Sequence, residues 1–134
     1  MAKRGCQVYA NDKNPWSYHY LTSNFKRNRA IAPKIANMDG IAFLKGVMHR
    51  QVERVDKVIM NLPGLATQHL PAVVEVLKSG VNAQNTMIYC YTFAKEQTEL
   101  ELEFESLPVN IRSILNVRKV SPNKELFCVQ CHLK

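Results

Sequence analysis

The chain has 134 residues, 46% hydrophobic and 22% charged, and its 18 Lys and Arg outnumber 11 Asp and Glu for a net charge of +7. That length and composition fit one soluble domain with a sizeable core, and they exclude collagen-like, low-complexity and disulfide-scaffold classes. No apolar run approaches the ~20 residues that cross a bilayer, so no membrane partner is expected. The positive balance suits a polyanion, with nucleic acid the first candidate. The start, MAKRGCQVYAND, is basic but carries no secretory apolar stretch, so a cytoplasmic or organelle-matrix setting is expected rather than export.

In chain order, residues 6–10 (CQVYA) read as a short buried strand that ends in the polar turn Asn11-Asp12-Lys13-Asn14-Pro15. Pro15 suits the first turn of a helix and Asn14 suits its cap. Trp16, Tyr20 and Leu21 fall on one helical stripe, with Lys26, Arg27 and Arg29 near the end where they complement the dipole. Residues 35–38 form a second expected strand before Asp39-Gly40, and 41–49 have helical spacing. Residues 55–60 make a third strand and 66–78 the helix after it, ended near Gly80. Residues 86–93 (TMIYCYTF) make a fourth strand.

The stretch 97–115 carries two patterns. Glu99 to Glu105 alternates acid and apolar like an exposed strand, whereas Leu100, Phe104, Leu107, Ile111 and Leu115 form a helical stripe broken at Pro108. The strand–helix alternation favours a helix. Residues 117–120 and 126–133 flank Ser121-Pro122-Asn123-Lys124 as a hairpin. The expected fold is therefore α/β, a single domain over 1–134 with a mostly parallel sheet between helices and an antiparallel terminal hairpin.

The most informative segment is DKVIMNLPGLATQHL, residues 56–70. An apolar run, Val58-Ile59-Met60, stops at Asn61-Leu62-Pro63-Gly64 before a helix. This places Asn61 at the carboxyl end of a strand, where open α/β sheets bind ligands. Its amide offers donors and an acceptor, and Pro63 fixes the turn. Asn-x-Pro at a strand end suits holding a planar base, although both residues are also common in ordinary turns. Two further strand ends carry acids. Asp12 suits ribose hydroxyls and Asp39 an exocyclic adenine amine, with Met38 against the ring face. For Asp12, Asn14 and Asp39 the bland reading is a helix cap.

Cys6, Cys90, Cys128 and Cys131 lie within apolar runs, as reduced core thiols do. Cys128-Val129-Gln130-Cys131-His132 matches the C-x-x-C-H pattern of haem attachment. In an alternating strand those two thiols point to opposite faces, and no second ligand pair with zinc spacing exists, so no metal is expected. The histidines are isolated, and His69 suits packing or the surface better than catalysis.

VYANDKNPWSYHYLTSNFKRN, NMDG, DKVIMNLPGLATQHL and VRKVSPNKELFCVQCHL, in this order, resemble the tRNA (guanine-37-N1)-methyltransferases of eukaryotes and archaea. The resemblance covers essentially the whole chain. It implies a Rossmann-like class I, doubly wound fold, S-adenosyl-L-methionine as cofactor, tRNA as partner, and methylation at N1 of the guanosine following the anticodon. It also implies that Asp12 and Lys13 lie at the ribose, Met38, Asp39 and Gly40 at the adenine, and Asn61 and Pro63 near the methyl donor and target base. It further implies a protein that is monomeric when full length, in the cytoplasm and also in the mitochondrial matrix or nucleus. Lys13 replaces a more usual apolar residue, and FCVQCHLK departs from the family's aromatic and proline ending.

The family's first strand and Gly-rich loop have no match, because the five glycines are isolated. MAKRGC resembles the last turn of the helix after that loop. No position matches the family's Arg and Glu that assist proton removal. An incomplete domain is therefore expected. Each unpaired buried backbone group costs ~1–3 kcal/mol against a stability of only ~5–15 kcal/mol. The chain alone is expected to be marginal, aggregation-prone and weakly active at best. The alternatives are an aminocarboxypropyl transferase of the wybutosine pathway, a non-enzymatic RNA-binding module using Lys26, Arg27, Arg29 and Lys34 beside Trp16, Tyr18 and Tyr20, or a truncated product without a function of its own.

Overall fold

The computed structural model describes residues 1–50, 54–80 and 83–134, with the side chains of Lys3 and Arg50 left aside. It comprises two compact units, Met1–Gln51 and Val52–Lys134.

The first unit opens with a single 3-10 turn, Ala2–Arg4, closed by Gly5 at φ 80, a left-handed conformation that glycine adopts without strain. Strand β1 (Tyr9–Asn11) pairs in parallel with β2 (Lys34–Ala36), with Ala10 opposite Ile35. Between them runs α1 (Pro15–Arg27), and α2 (Gly40–Arg50) follows β2. Pro15 opens α1 behind its cap Asn14, whose Oδ1 accepts from the N–H groups of Trp16 at 2.9 Å and Ser17 at 3.4 Å. Both strands are shorter than their apolar letters suggested.

Cys6 lies outside β1 and is exposed, so it is not the core thiol expected from its neighbours. The stripe of Trp16, Tyr20 and Leu21 on α1 is not a core stripe. Trp16 is 74% exposed and Tyr20 63%, and α1 buries no residue fully. Two three-residue strands offer too little apolar face to cover a thirteen-residue helix. What this unit does bury are Phe43 and Val47 of α2.

The second unit is a four-stranded sheet in the order β3-β4-β6-β5. Strand β3 (Lys57–Asn61) pairs in parallel with β4 (Met87–Ala94) across the connecting helix α3 (Ala66–Lys78). Strands β5 (Val109–Ser121) and β6 (Lys124–Leu133) form an antiparallel hairpin, and β6 inserts against β4. Parallel pairs plus a terminal antiparallel hairpin match the expected α/β arrangement. Six residues of α3 are buried, Leu70 and Leu77 completely, and they cover the sheet with Ile88, Cys90, Val129 and Cys131. The run Leu126–Val129 is buried at every position because β6 is interior to the sheet.

Helix α4 spans only Gln97–Glu105, anchored by the buried pair Leu100 and Phe104. The expected helix to residue 115 is corrected here. Pro108 cannot donate into a helix, and β5 begins at Val109. A bulge between Ile111 and Ser113 sets Ile111 opposite Cys131 and Leu115 opposite Cys128, so the residues of the apparent helical stripe fall on different faces of β5. Lys134 closes the end of α4, with its Nζ donating to the carbonyls of Glu105 at 3.1 Å and Leu107 at 2.6 Å.

Candidate active site

In the first unit the turns after β1 and β2 are tied together by two asparagines that sequence reasoning passed over. Asn11 Nδ2 donates to the Met38 carbonyl at 2.9 Å, and its Oδ1 accepts from the Met38 N–H at 3.1 Å. In return Asn37 Nδ2 donates to the carbonyls of Asp12 at 2.8 Å and Lys13 at 2.9 Å. The ladder itself runs one step beyond the strands, with Asp12 N–H donating to Ala36 at 3.2 Å. Asn11-Asp12-Lys13 and Asn37-Met38-Asp39 thus form one cross-linked rim at the carboxyl end of the parallel pair. The available signal was an Asn at each strand end, which reads by itself as ordinary turn chemistry.

Within this rim Asp12 is half-buried and its Oδ1 accepts from Asn14 N–H at 2.8 Å, so it shapes the entry to α1 rather than capping it. Asp39 does cap α2, its Oδ1 accepting from Ile41 and Ala42 at 3.0 Å each. A carboxylate has about four lone-pair sites, so capping and ligand binding are compatible. Met38 is 38% exposed at the rim. A side chain added at Gly40 would meet nothing within 4 Å, which leaves open space beside Asp39. Half-buried and exposed acceptors, an exposed thioether and open space at Gly40 fit a nucleoside. Lys13 is exposed.

The second unit presents Asn61 as the last residue of β3, level with Tyr91 and exposed. Among the described residues its amide has no hydrogen-bond partner, so both its donors and its acceptor face outward. The turn beyond it is firm. The Leu62 carbonyl accepts from Leu65 and Ala66 at 2.8 Å each, which starts α3. The Pro63 carbonyl accepts from the Phe93 N–H at 3.2 Å and from Thr92 Oγ1 at 3.5 Å, tying the turn to the end of β4. His69 is occupied locally, its Nδ1 2.8 Å from the Leu65 carbonyl. The sheet behind is dry enough that burial pushes the thiols of Cys90 and Cys131 up to about 12.

The fold is of the α/β class, with polar turns at the carboxyl ends of its parallel strands. The chain belongs to the TRM5/TYW2 methyltransferase domain family, whose model matches residues 1–117. Among curated proteins it is similar to the tRNA (guanine(37)-N(1))-methyltransferases of Danio rerio, 36% identical over 96% of this chain and 30% of that protein, and of Homo sapiens, 32% identical over 96% and 29%. The chain therefore spans about a third of the length of these relatives. Among solved structures, Trm5b from Pyrococcus abyssi aligns with a TM-score of 0.68 at 22% identity over 95% of this chain and 37% of that one. A TYW2 from M. jannaschii, solved with AdoMet, gives 0.61 at 20% identity over 96% and 58%. These likenesses confirm the fold.

Proposed function

We propose that this chain carries the catalytic rims of a tRNA (guanine-37-N1)-methyltransferase that uses S-adenosyl-L-methionine. The observation that carries the reading is Asn61, an outward-facing amide with no partner among the described residues, on a turn locked by Pro63. The names of the relatives and the AdoMet and adenosine complexes among the structural neighbours support it. A neighbour solved with tRNALeu supports tRNA as the partner.

When bound, the cofactor supplies an electrophilic sulfonium methyl. Asp12 would accept from the ribose hydroxyls and Asp39 from the adenine amine, with Met38 against the ring, while Asn11 and Asn37 fix the backbone of both turns. Asn61 presents donors and an acceptor to the edge of the guanine, while Pro63 holds that amide in place. Bound here, the cofactor would give its methyl to N1 of the guanine and leave as S-adenosylhomocysteine, and the N1 proton would pass to solvent or a general base. Positioning of this kind supplies much of the rate.

The test is transfer of labelled methyl to unmodified tRNA, with the product read after nuclease digestion. Any product is expected to be N1-methylguanosine at position 37, in low yield. An aminocarboxypropyl product on the same tRNA would move the chain to the alternative transferase reading. The compartment follows the substrate: cytoplasm, mitochondrial matrix or nucleus, tested by imaging a tagged protein.

A second reading is favoured by one observation. Trp16, Tyr20 and Arg27, spaced i, i+4, i+11 on α1, share a face whose two aromatics are exposed. Exposed rings beside a cation stack on unpaired bases and attract phosphate. Salt-sensitive tRNA binding in the absence of any cofactor binding would favour an RNA-binding module over the enzyme.

A further inference from the structure

The strand β6 runs antiparallel to β4, so its first residue, Lys124, lies at the end of the sheet where β3 and β4 finish. Its Nζ sits 4.2 Å from the centroid of the Phe93 ring. Phe93 in turn donates its N–H to the Pro63 carbonyl at 3.2 Å. One aromatic residue therefore links the turn that carries Asn61 to a cation. At ~3.3 Å per residue and ~4.8 Å per strand, the Lys124 backbone stands roughly 13 Å along and roughly 10 Å across from Asn61.

Among the described residues Lys124 has no carboxylate partner, since the ion pair found there is Arg54 with Asp56. The neighbouring Glu125 is engaged by the Asn116 amide across the hairpin. Lys119 lies opposite Glu125, and Arg118 lies opposite Leu126, so two more cations line the same end of the hairpin. A lysine steadied on a ring keeps its full charge while giving up side-chain freedom in advance. That combination suits a fixed anion beside the site, and it would be wasted on solvent.

We propose that Lys124, held over Phe93, binds a backbone phosphate of the RNA presented to Asn61. This rests on the reading that the chain acts on tRNA. The phosphate lies away from the target base, so Lys124 sets the path of the strand and leaves the chemistry of the base to Asn61.

The test measures binding of an unmodified tRNA transcript to the chain across a salt series, for the wild type, Lys124→Ala, Lys124→Arg and Phe93→Leu. Lys124→Ala is expected to weaken binding several-fold and to make the slope of log K against log salt shallower by roughly 0.7–0.9, the signature of one lost phosphate contact. Lys124→Arg is expected to restore the slope. Phe93→Leu is expected to weaken binding with the slope retained, because the charge remains and only its platform is lost. Wild-type slope in Lys124→Ala would overturn the proposal, as would a wild-type chain that binds no tRNA at low salt. Methyl transfer is read separately. A slope that falls in Lys124→Ala, with no product from the wild type, supports the phosphate contact and sinks the enzymatic reading. N1-methylguanosine with an unchanged slope does the reverse.

Discussion

The amide of Asn11 grips the backbone of Met38 at both polar groups, donating to its carbonyl at 2.9 Å and accepting from its N–H at 3.1 Å. These residues are 27 apart in the chain, so this bond pair, together with Asn37, sets the separation of the turns bearing Asp12 and Asp39. Replacing Asn11 with Ala removes two exposed hydrogen bonds, worth roughly 1–2 kcal/mol together. If that order is spent on cofactor binding, affinity for S-adenosyl-L-methionine falls about 5- to 30-fold by titration calorimetry. Asn11→Asp keeps the acceptor alone and is expected to fall between. Undiminished affinity in Asn11→Ala would remove the clamp from the cofactor site.

The Asn61 side chain makes no hydrogen bond among the described residues, and its backbone pairing is kept by alanine, so Asn61→Ala is expected to leave stability within about 0.5 kcal/mol of the wild type. Methyl transfer to tRNA is expected to drop about 100-fold, because the base loses its orienting edge. A variant with wild-type turnover would show that the amide is only a turn residue.

The buried thiols give a pH dependence with a definite sign. Burial raises Cys90 and Cys131 from 9.0 to about 12 in the folded protein. Above pH 9 the unfolded chain releases those protons while the folded chain retains them, so stability falls as pH rises from about 9 towards 12. Melts at pH 8 and pH 10.5 check this, and an unchanged midpoint would contradict it. At pH 8 a maleimide is expected to modify exposed Cys6 rapidly, and the buried thiols only after denaturation.

The free edges carry a liability. Among the described residues β3 pairs with β4 alone, and Ile59 on it is 47% exposed. Unpaired donors and acceptors beside an apolar side chain invite pairing with another chain. The chain is expected to associate as concentration rises, and Ile59→Lys to suppress this with little loss of fold. Light scattering over a dilution series measures it. A wild-type chain that stays monomeric at high concentration would refute the expectation.

Much of the fold was legible locally. Helix α3 begins and ends at the residues its apolar spacing indicated, and the Asn14-Pro15 start of α1 follows from cap chemistry. Asn61 at a strand end could be read from an apolar run stopped by Leu62-Pro63. The segment 97–115 was not legible, since its apolar residues keep a helical spacing throughout and no local signal marks the bulge after Ile111. Only Pro108, and the partner strand β6 waiting beyond it, turned its second half into β5. Trp16 and Tyr20 share a face of α1, as their spacing indicated, but nothing in that spacing showed them to be exposed. Periodicity tells which residues share a face and is silent on whether anything covers it.

By itself the sequence determined the elements, the polar residues at three strand ends and the family they resemble, because caps, prolines and periodicity act within a few residues. The tertiary structure decided what those residues touch. The grip of Asn11 on Met38, the hold of Asn37 on Asp12, and the seat of Lys124 on Phe93 join segments about 25 to 30 residues apart. Such pairs form only when strand order and register bring distant turns to one rim, and no local pattern of letters encodes that meeting.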